Sequence, residues 1–149
     1  MPVEILRRGA AKNFPTRKLK KLALKILELL HHEKAELSIA LLGNAEIREL
    51  NARFRHKNSP TDVLAFPVEE VPAAGLSLLG DVIISVEKAA EQAKDRQRTL
   101  SEELATLLIH GILHLLGYDH ERSARQARVM RAMEKKLYRA LCDQGLLRV

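Results

Sequence analysis

The sequence predicts an α+β fold in which a small mixed β-sheet is packed by helices. Three observations carry that reading. Short apolar runs of strand length alternate with helical apolar periodicity in the first half. Two long helical patterns close the chain. No internal repeat, low-complexity tract or Gly/Ser linker interrupts the 149 residues, and a chain of that length that is 46% hydrophobic suits one aliphatic core, so residues 1–149 read as a single domain.

In chain order, a short apolar opening spans Val3 to Leu6. Pro15 and Thr16 then introduce a helix whose Leu19, Leu22, Ala23, Ile26, Leu27 and Leu30 recur at helical spacing, with lysines on its other face. His31 and His32 end it as surface residues. Leu37 to Leu42 (LSIALL) reads as a buried strand, and Asn44 as the cap of a helix carrying Ile47, Leu50 and Phe54 on one side. Asp62 to Phe66 and Leu78 to Val86 are further strands, the second followed by a helix from about Glu87. Ser101, with Glu102 and Glu103 after it, is expected to cap a helix running through Leu104, Leu107, Leu108 and His110 towards Leu116. A last helix covers Ser123 to Leu141, with Ala127, Met130, Met133, Leu137 and Leu141 facing inward.

Composition narrows the setting. The formal charge of +6 favours polyanionic partners without requiring them. Cys142 is the single cysteine, so neither an internal disulfide nor a thiolate zinc cluster can form. It is expected as a small buried or half-buried hydrophobe. The first residues lack the apolar core of a signal peptide, and no uncharged apolar run is long enough to span a bilayer, so a cytoplasmic protein is expected.

The chemistry concentrates in HGILHLLGYDH, His110 to His120. Four residues apart on a helix, His110 and His114 lie about 6 Å apart along the axis on one face and can grip one ion. Gly117 can take the left-handed conformation that ends a helix, letting the chain turn and bring His120 to the same point. Three imidazoles suit Zn²⁺ and leave a fourth position for water, as in catalytic rather than structural sites. Asp119 either orients a ligand imidazole or caps the last helix. The spacing is similar to that of the metzincin peptidases, H-E-x-x-H-x-x-G-x-x-H, except that Gly111 stands where their general base must be. Peptide hydrolysis by that route lacks its proton acceptor.

HGILHLLGYDH also resembles, nearly residue for residue, the signature of the bacterial YbeY family of endoribonucleases, in which that glycine is expected. NARFRHKNSPTDVLAFP (Asn51 to Pro67) and LGDVIIS (Leu79 to Ser85) resemble two further stretches of the family, with Asn58 and Ala65 as departures at peripheral positions. The resemblance implies a zincin-like α+β fold, one zinc held by His110, His114 and His120 on a helix and the following loop, and a functional arginine at Arg55. It also implies cleavage of single-stranded RNA in ribosomal RNA maturation and ribosome quality control. The partners implied are the small ribosomal subunit, ribosomal proteins and an assembly GTPase. An arginine fork binding two oxygens of a pentacoordinate phosphorus agrees with the role of Arg55. His56 and Lys57 either extend that phosphate surface or are solvated loop residues.

Gly111 leaves the proton-transfer residue open among Asp81, Asp119 and the substrate's own phosphate. Asp81, in an apolar strand, is either a partnered structural acid or part of the site. Two other functions compete: a ribosome-assembly factor with a chiefly structural zinc, which the basic charge suits equally, and a metallopeptidase, against which Gly111 argues.

Overall fold

The apolar runs of the first half form four strands, β1 (Val3–Arg7), β2 (Ala35–Leu42), β3 (Val63–Pro67) and β4 (Ser77–Ser85). The computed structural model describes residues 3–11, 15–55, 62–67, 77–118 and 123–147, leaving aside the side chains of Ala10, Phe54, Arg55, Ser77 and Leu78. The sheet order is β1-β2-β4-β3, with β1, β2 and β4 parallel and β3 antiparallel to β4. It is the mixed sheet expected.

Five α-helices pack on it among the described residues: α1 (Arg17–Leu29), α2 (Asn44–Arg55), α3 (Val86–Asp95), α4 (Leu100–Leu115) and α5 (Ala124–Asp143). Strand alternation divides them between two faces. Leu37, Ile39 and Leu41 of β2 and Val82 and Ile84 of β4 join the main core with α1, α4 and α5. Leu42, Leu64 and Ile83 point the other way and enclose Ile47 of α2 in a smaller cluster. Helix α4 is apolar nearly all round, with Leu104, Leu107, Leu108, Ile109, Ile112 and Leu113 buried, because it lies between the sheet, α1, α3 and α5.

Four local features depart from the expectations. The cap of α4 is Thr99 rather than Ser101: Thr99 Oγ1 accepts from the backbone N–H of Glu102 (3.1 Å), and Glu102 Oε1 accepts from the backbone N–H of Thr99 (2.8 Å). That reciprocal pair needs a glutamate three residues after the cap, which Thr99 has and Ser101, followed by Leu104, does not. The side chain of Asn44 accepts from Ser85 Oγ (2.6 Å), tying the start of α2 to the end of β4. Cys142 is exposed, because it stands about 100° round α5 from the buried Leu141. Strand β2 also begins two residues before Leu37, at Ala35.

One irregularity shapes the sheet near the site. Glu36 pairs with Leu78 but Leu37 with Gly80, so Leu79 is an extra residue bulged out of β4. Gly80 follows at φ 136°, where a Cβ would stand 2.3 Å from the carbonyl oxygen of Phe66. Only glycine fits that close approach of β3 to β4.

Candidate metal centre

Four-residue spacing puts His110 and His114 on one stripe of α4, both half-buried. Their Nε2 atoms are 3.2 Å apart, and the rings meet edge-on with centroids 4.7 Å apart. Two imidazole nitrogens bound to one tetrahedral zinc at ~2.0–2.1 Å stand about 3.3–3.4 Å from each other, so this pair already has the spacing of two ligands of one ion.

The other nitrogen of His110 is also engaged. Nδ1 lies 2.8 Å from Glu134 Oε2 of α5, with both side chains about a quarter exposed. A carboxylate on Nδ1 holds the proton there and leaves Nε2 as the lone pair facing His114, which fixes the tautomer that metal binding requires. The donor set therefore fits zinc. Among the described residues no group of three or more metal-binding side chains is assembled, and His120 and Asp119 lie outside those residues.

Beyond His114 the helix closes as its glycine predicts. Gly117 sits at φ 100° with nothing within 4 Å of a built Cβ. Its N–H donates to His114 O (3.0 Å), and that of Tyr118 to Leu113 O (3.0 Å). These two bonds make a complete Schellman end, which closes the helix at Gly117 and Tyr118.

Gly111 has a packing reason as well as a chemical one. A Cβ there would meet Val82 Cγ1 at 2.7 Å, because α4 lies closest to β4 at this turn. A Cβ at 111 would point into the sheet, against Val82 and Val63.

The family described as Endoribonuclease YbeY matches residues 5–142. The chain belongs to the YbeY family. It is 48% identical over 120 residues to the Endoribonuclease YbeY of a Sulfurihydrogenibium strain, covering 80% of this chain and 79% of that one. It is 39% identical over 150 residues to that of Geobacter metallireducens, covering 99% and 100% respectively. A solution structure of a Thermotoga maritima protein superposes with a TM-score of 0.67 at 30% identity, covering 96% of this chain and 91% of that one.

The remaining positions singled out by the YbeY-like motifs are placed as follows. Asn44 is anchored to Ser85 and Glu87, the latter accepting from its backbone N–H at 2.8 Å. From there α2 runs back along the sheet through Ile47 and Leu50, and its 12 residues extend about 17 Å. The span from Ser85 back to Gly80 is similar, about 17 Å at ~3.3 Å per residue. The backbone of Arg55 thus ends near the level of Gly80, and Leu115, the residue after His114, packs on Gly80 from the opposite face. Asp81 is exposed in β4 and alternates with Val82, so it lies on the α2 face of the sheet, opposite the histidines. His56, Lys57 and Asn58 lie outside the described residues. Among these residues no helix is long and apolar enough to cross a membrane.

Glu134 is the site residue that sequence reasoning missed. It had a signal: Met130, Met133 and Leu137 define the inward stripe of α5, and Glu134 occupies the position four after Met130, where an apolar residue would continue the pattern. An acid on an inward stripe needs a partner, and His110 is that partner.

Proposed function

We propose that this YbeY-family chain is a zinc-dependent endoribonuclease that hydrolyses phosphodiester bonds of single-stranded RNA. In this reading it serves ribosomal RNA maturation and ribosome quality control in the cytoplasm. Its partners are the small ribosomal subunit, ribosomal proteins and an assembly GTPase. The observation that carries the reading is the pair of Nε2 atoms 3.2 Å apart on α4, with Glu134 held against the far side of His110.

His110, His114 and His120 hold the ion, which when bound polarises the phosphoryl oxygen and activates water. Glu134 holds the ring of His110 in place. Arg55, at the end of α2 near the level of Gly80, supplies the fork for the charge that develops on phosphorus. Asp119, adjacent in sequence to the third ligand, orients its imidazole in this reading or caps the last helix. Gly111, which carries no proton acceptor where the peptidases have their glutamate, argues against peptide hydrolysis.

The test is cleavage of labelled single-stranded ribosomal RNA by zinc-loaded protein, run beside Arg55→Ala and His114→Ala purified identically. Activity in the parent that both substitutions abolish is the expected result. Equal residual activity in all three identifies a contaminating nuclease and leaves the assembly-factor reading, with a chiefly structural zinc, as the better one.

A further inference from the structure

Next to the histidine pair lies a second feature that the motif does not include. A cavity of about 640 Å³ opens between α4 and α5, lined by Thr106 and Ile109 on one wall and by Arg131, Lys135 and Arg139 on the other. The three cations recur every four residues, so they rise along α5 in steps of about 6 Å and stay on one side of the helix. All three are exposed, and among the described residues none of them forms an ion pair. Arg98 at the far end is already committed. Its guanidinium donates to Thr106 Oγ1 (2.9 Å), lies 3.5 Å from Glu103 Oε2 and covers the ring of Tyr138 at 5.1 Å.

The wall formed by α4 gives the groove a direction. Thr106, His110 and His114 are four residues apart in turn and form one stripe, so the wall that begins at Thr106 continues to the metal-binding pair. Glu134, the one acid lining the groove, stands where groove and site meet and is held by His110.

We infer that this groove carries the phosphate backbone of the RNA strand leading to the histidine pair, with Arg131, Lys135 and Arg139 binding successive phosphates. The inference rests on the nuclease reading above and extends it with a track beside the site. Charge complementarity selects the occupant: three unpaired cations in a row face a polyanion. Arg98 covers one face of the Tyr138 ring, and the Tyr138 hydroxyl donates to Glu102 Oε2 (3.1 Å). The groove therefore binds backbone, without reading sequence.

The experiment compares the parent, the triple variant Arg131→Gln/Lys135→Gln/Arg139→Gln, and a control with as many charges removed from α1, Arg17→Gln/Lys20→Gln/Lys21→Gln. Binding of labelled single-stranded RNA to metal-free protein is read by anisotropy across a salt series. One oligonucleotide spans only the scissile bond and its neighbours, and the other is long enough to follow α5. Cleavage of both is read with zinc-loaded protein. The expected result is a loss of long-strand affinity on the order of ten- to a hundredfold in the groove variant alone. Its slope of log K against log salt should become shallower by roughly 2, at ~0.7 per lost phosphate contact. Equal losses in both triple variants, or an unchanged slope in the groove variant, overturn the inference. An unchanged slope would place the groove outside the RNA contact, and cleavage by the parent would still stand. Absence of cleavage in the parent together with groove-dependent long-strand binding overturns the nuclease reading and supports the track.

Discussion

The two ends of the α4–α5 pair are built from similar parts used in opposite ways. At the N-terminal end of α4 the two carboxylates meet partners within the protein. Glu102 completes the Thr99 cap and accepts from Tyr138, while the fully buried Glu103 meets Arg96 at 2.8 Å and Arg98 at 3.5 Å. At the C-terminal end a carboxylate again bridges the two helices, Glu134 to His110, but here it leaves the Nε2 atoms of His110 and His114 facing each other at 3.2 Å. The first arrangement stabilises the helix pair; the second prepares it for an ion. Position alone does not separate structure from chemistry in one helix. What separates them is whether the polar groups satisfy one another or converge on a shared vacant valence.

The largest effect that would sharpen this contrast is loss of a ligand. Zinc removal by chelation, or His114→Ala, is expected to reduce RNA cleavage to background while circular dichroism and denaturation stay near the parent's, since His114 is only half-buried. A collapse of the fold on metal removal would instead make the ion structural, as in the assembly-factor reading.

Next in size is Glu134. Glu134→Gln is expected to weaken zinc binding by roughly 10–100-fold, measured by competition with a chromophoric chelator, because the second oxygen no longer holds the Nδ1 proton as a charged acceptor does. Apo stability should barely move. A large drop in apo stability with unchanged zinc affinity would mean that the two ends of the helix pair do the same job.

Gly111→Ala tests the packing between them. The added methyl meets Val82 Cγ1 at 2.7 Å, and overpacking of ~1–3 kcal/mol outweighs a helix-propensity gain of roughly 0.5–1 kcal/mol. Urea denaturation should show a net loss of about 1–2 kcal/mol, largely recovered in Gly111→Ala/Val82→Ala. Failure of the second change to recover it would place the strain elsewhere.

The smallest effect belongs to Glu102. Its hydrogen bond from the Thr99 backbone, reinforced by Tyr138, holds its carboxyl below the ordinary value of 4.5, whereas burial pushes the Tyr138 hydroxyl up. A lowered folded value means that ionised Glu102 stabilises the fold above pH 4.5, and that this contribution is lost as pH falls through the folded value. The stability gap between the parent and Glu102→Gln should therefore be constant at neutral pH and narrow below about pH 4.5. A gap that is flat down to acid pH would leave the cap to Thr99 alone.

Much of the site was legible because it is local. Periodicity placed α1, α4 and α5, and helical spacing alone requires His110 and His114 to share a face. Gly117 announced the turn, and the structure closes it with the two bonds of a Schellman end. The cap at Thr99 was equally local, written as a threonine with glutamate three residues on, and was passed over in favour of the nearer serine. The amphipathic C-terminal stretch suggests a buried or half-buried Cys142, yet one residue of helix beyond Leu141 is enough to turn it outward.

What the tertiary structure decided is what joins distant segments. Glu134 lies 24 residues from His110, and nothing in either neighbourhood specifies the packing of α5 on α4 that brings them to 2.8 Å. The sheet order decided that Asp81 lies on the face opposite the histidines, since a strand shows which residues alternate but not which face receives which helix. The same holds for Gly111: its missing proton acceptor was evident from the residue type, whereas its contact with Val82 depends on how closely α4 approaches β4. Spacing along a helix is set by covalent geometry and hydrogen bonding within a few residues, so the sequence by itself determined the histidine pair and its turn. Distances between elements are set by the complementary packing of whole faces, which no single segment carries.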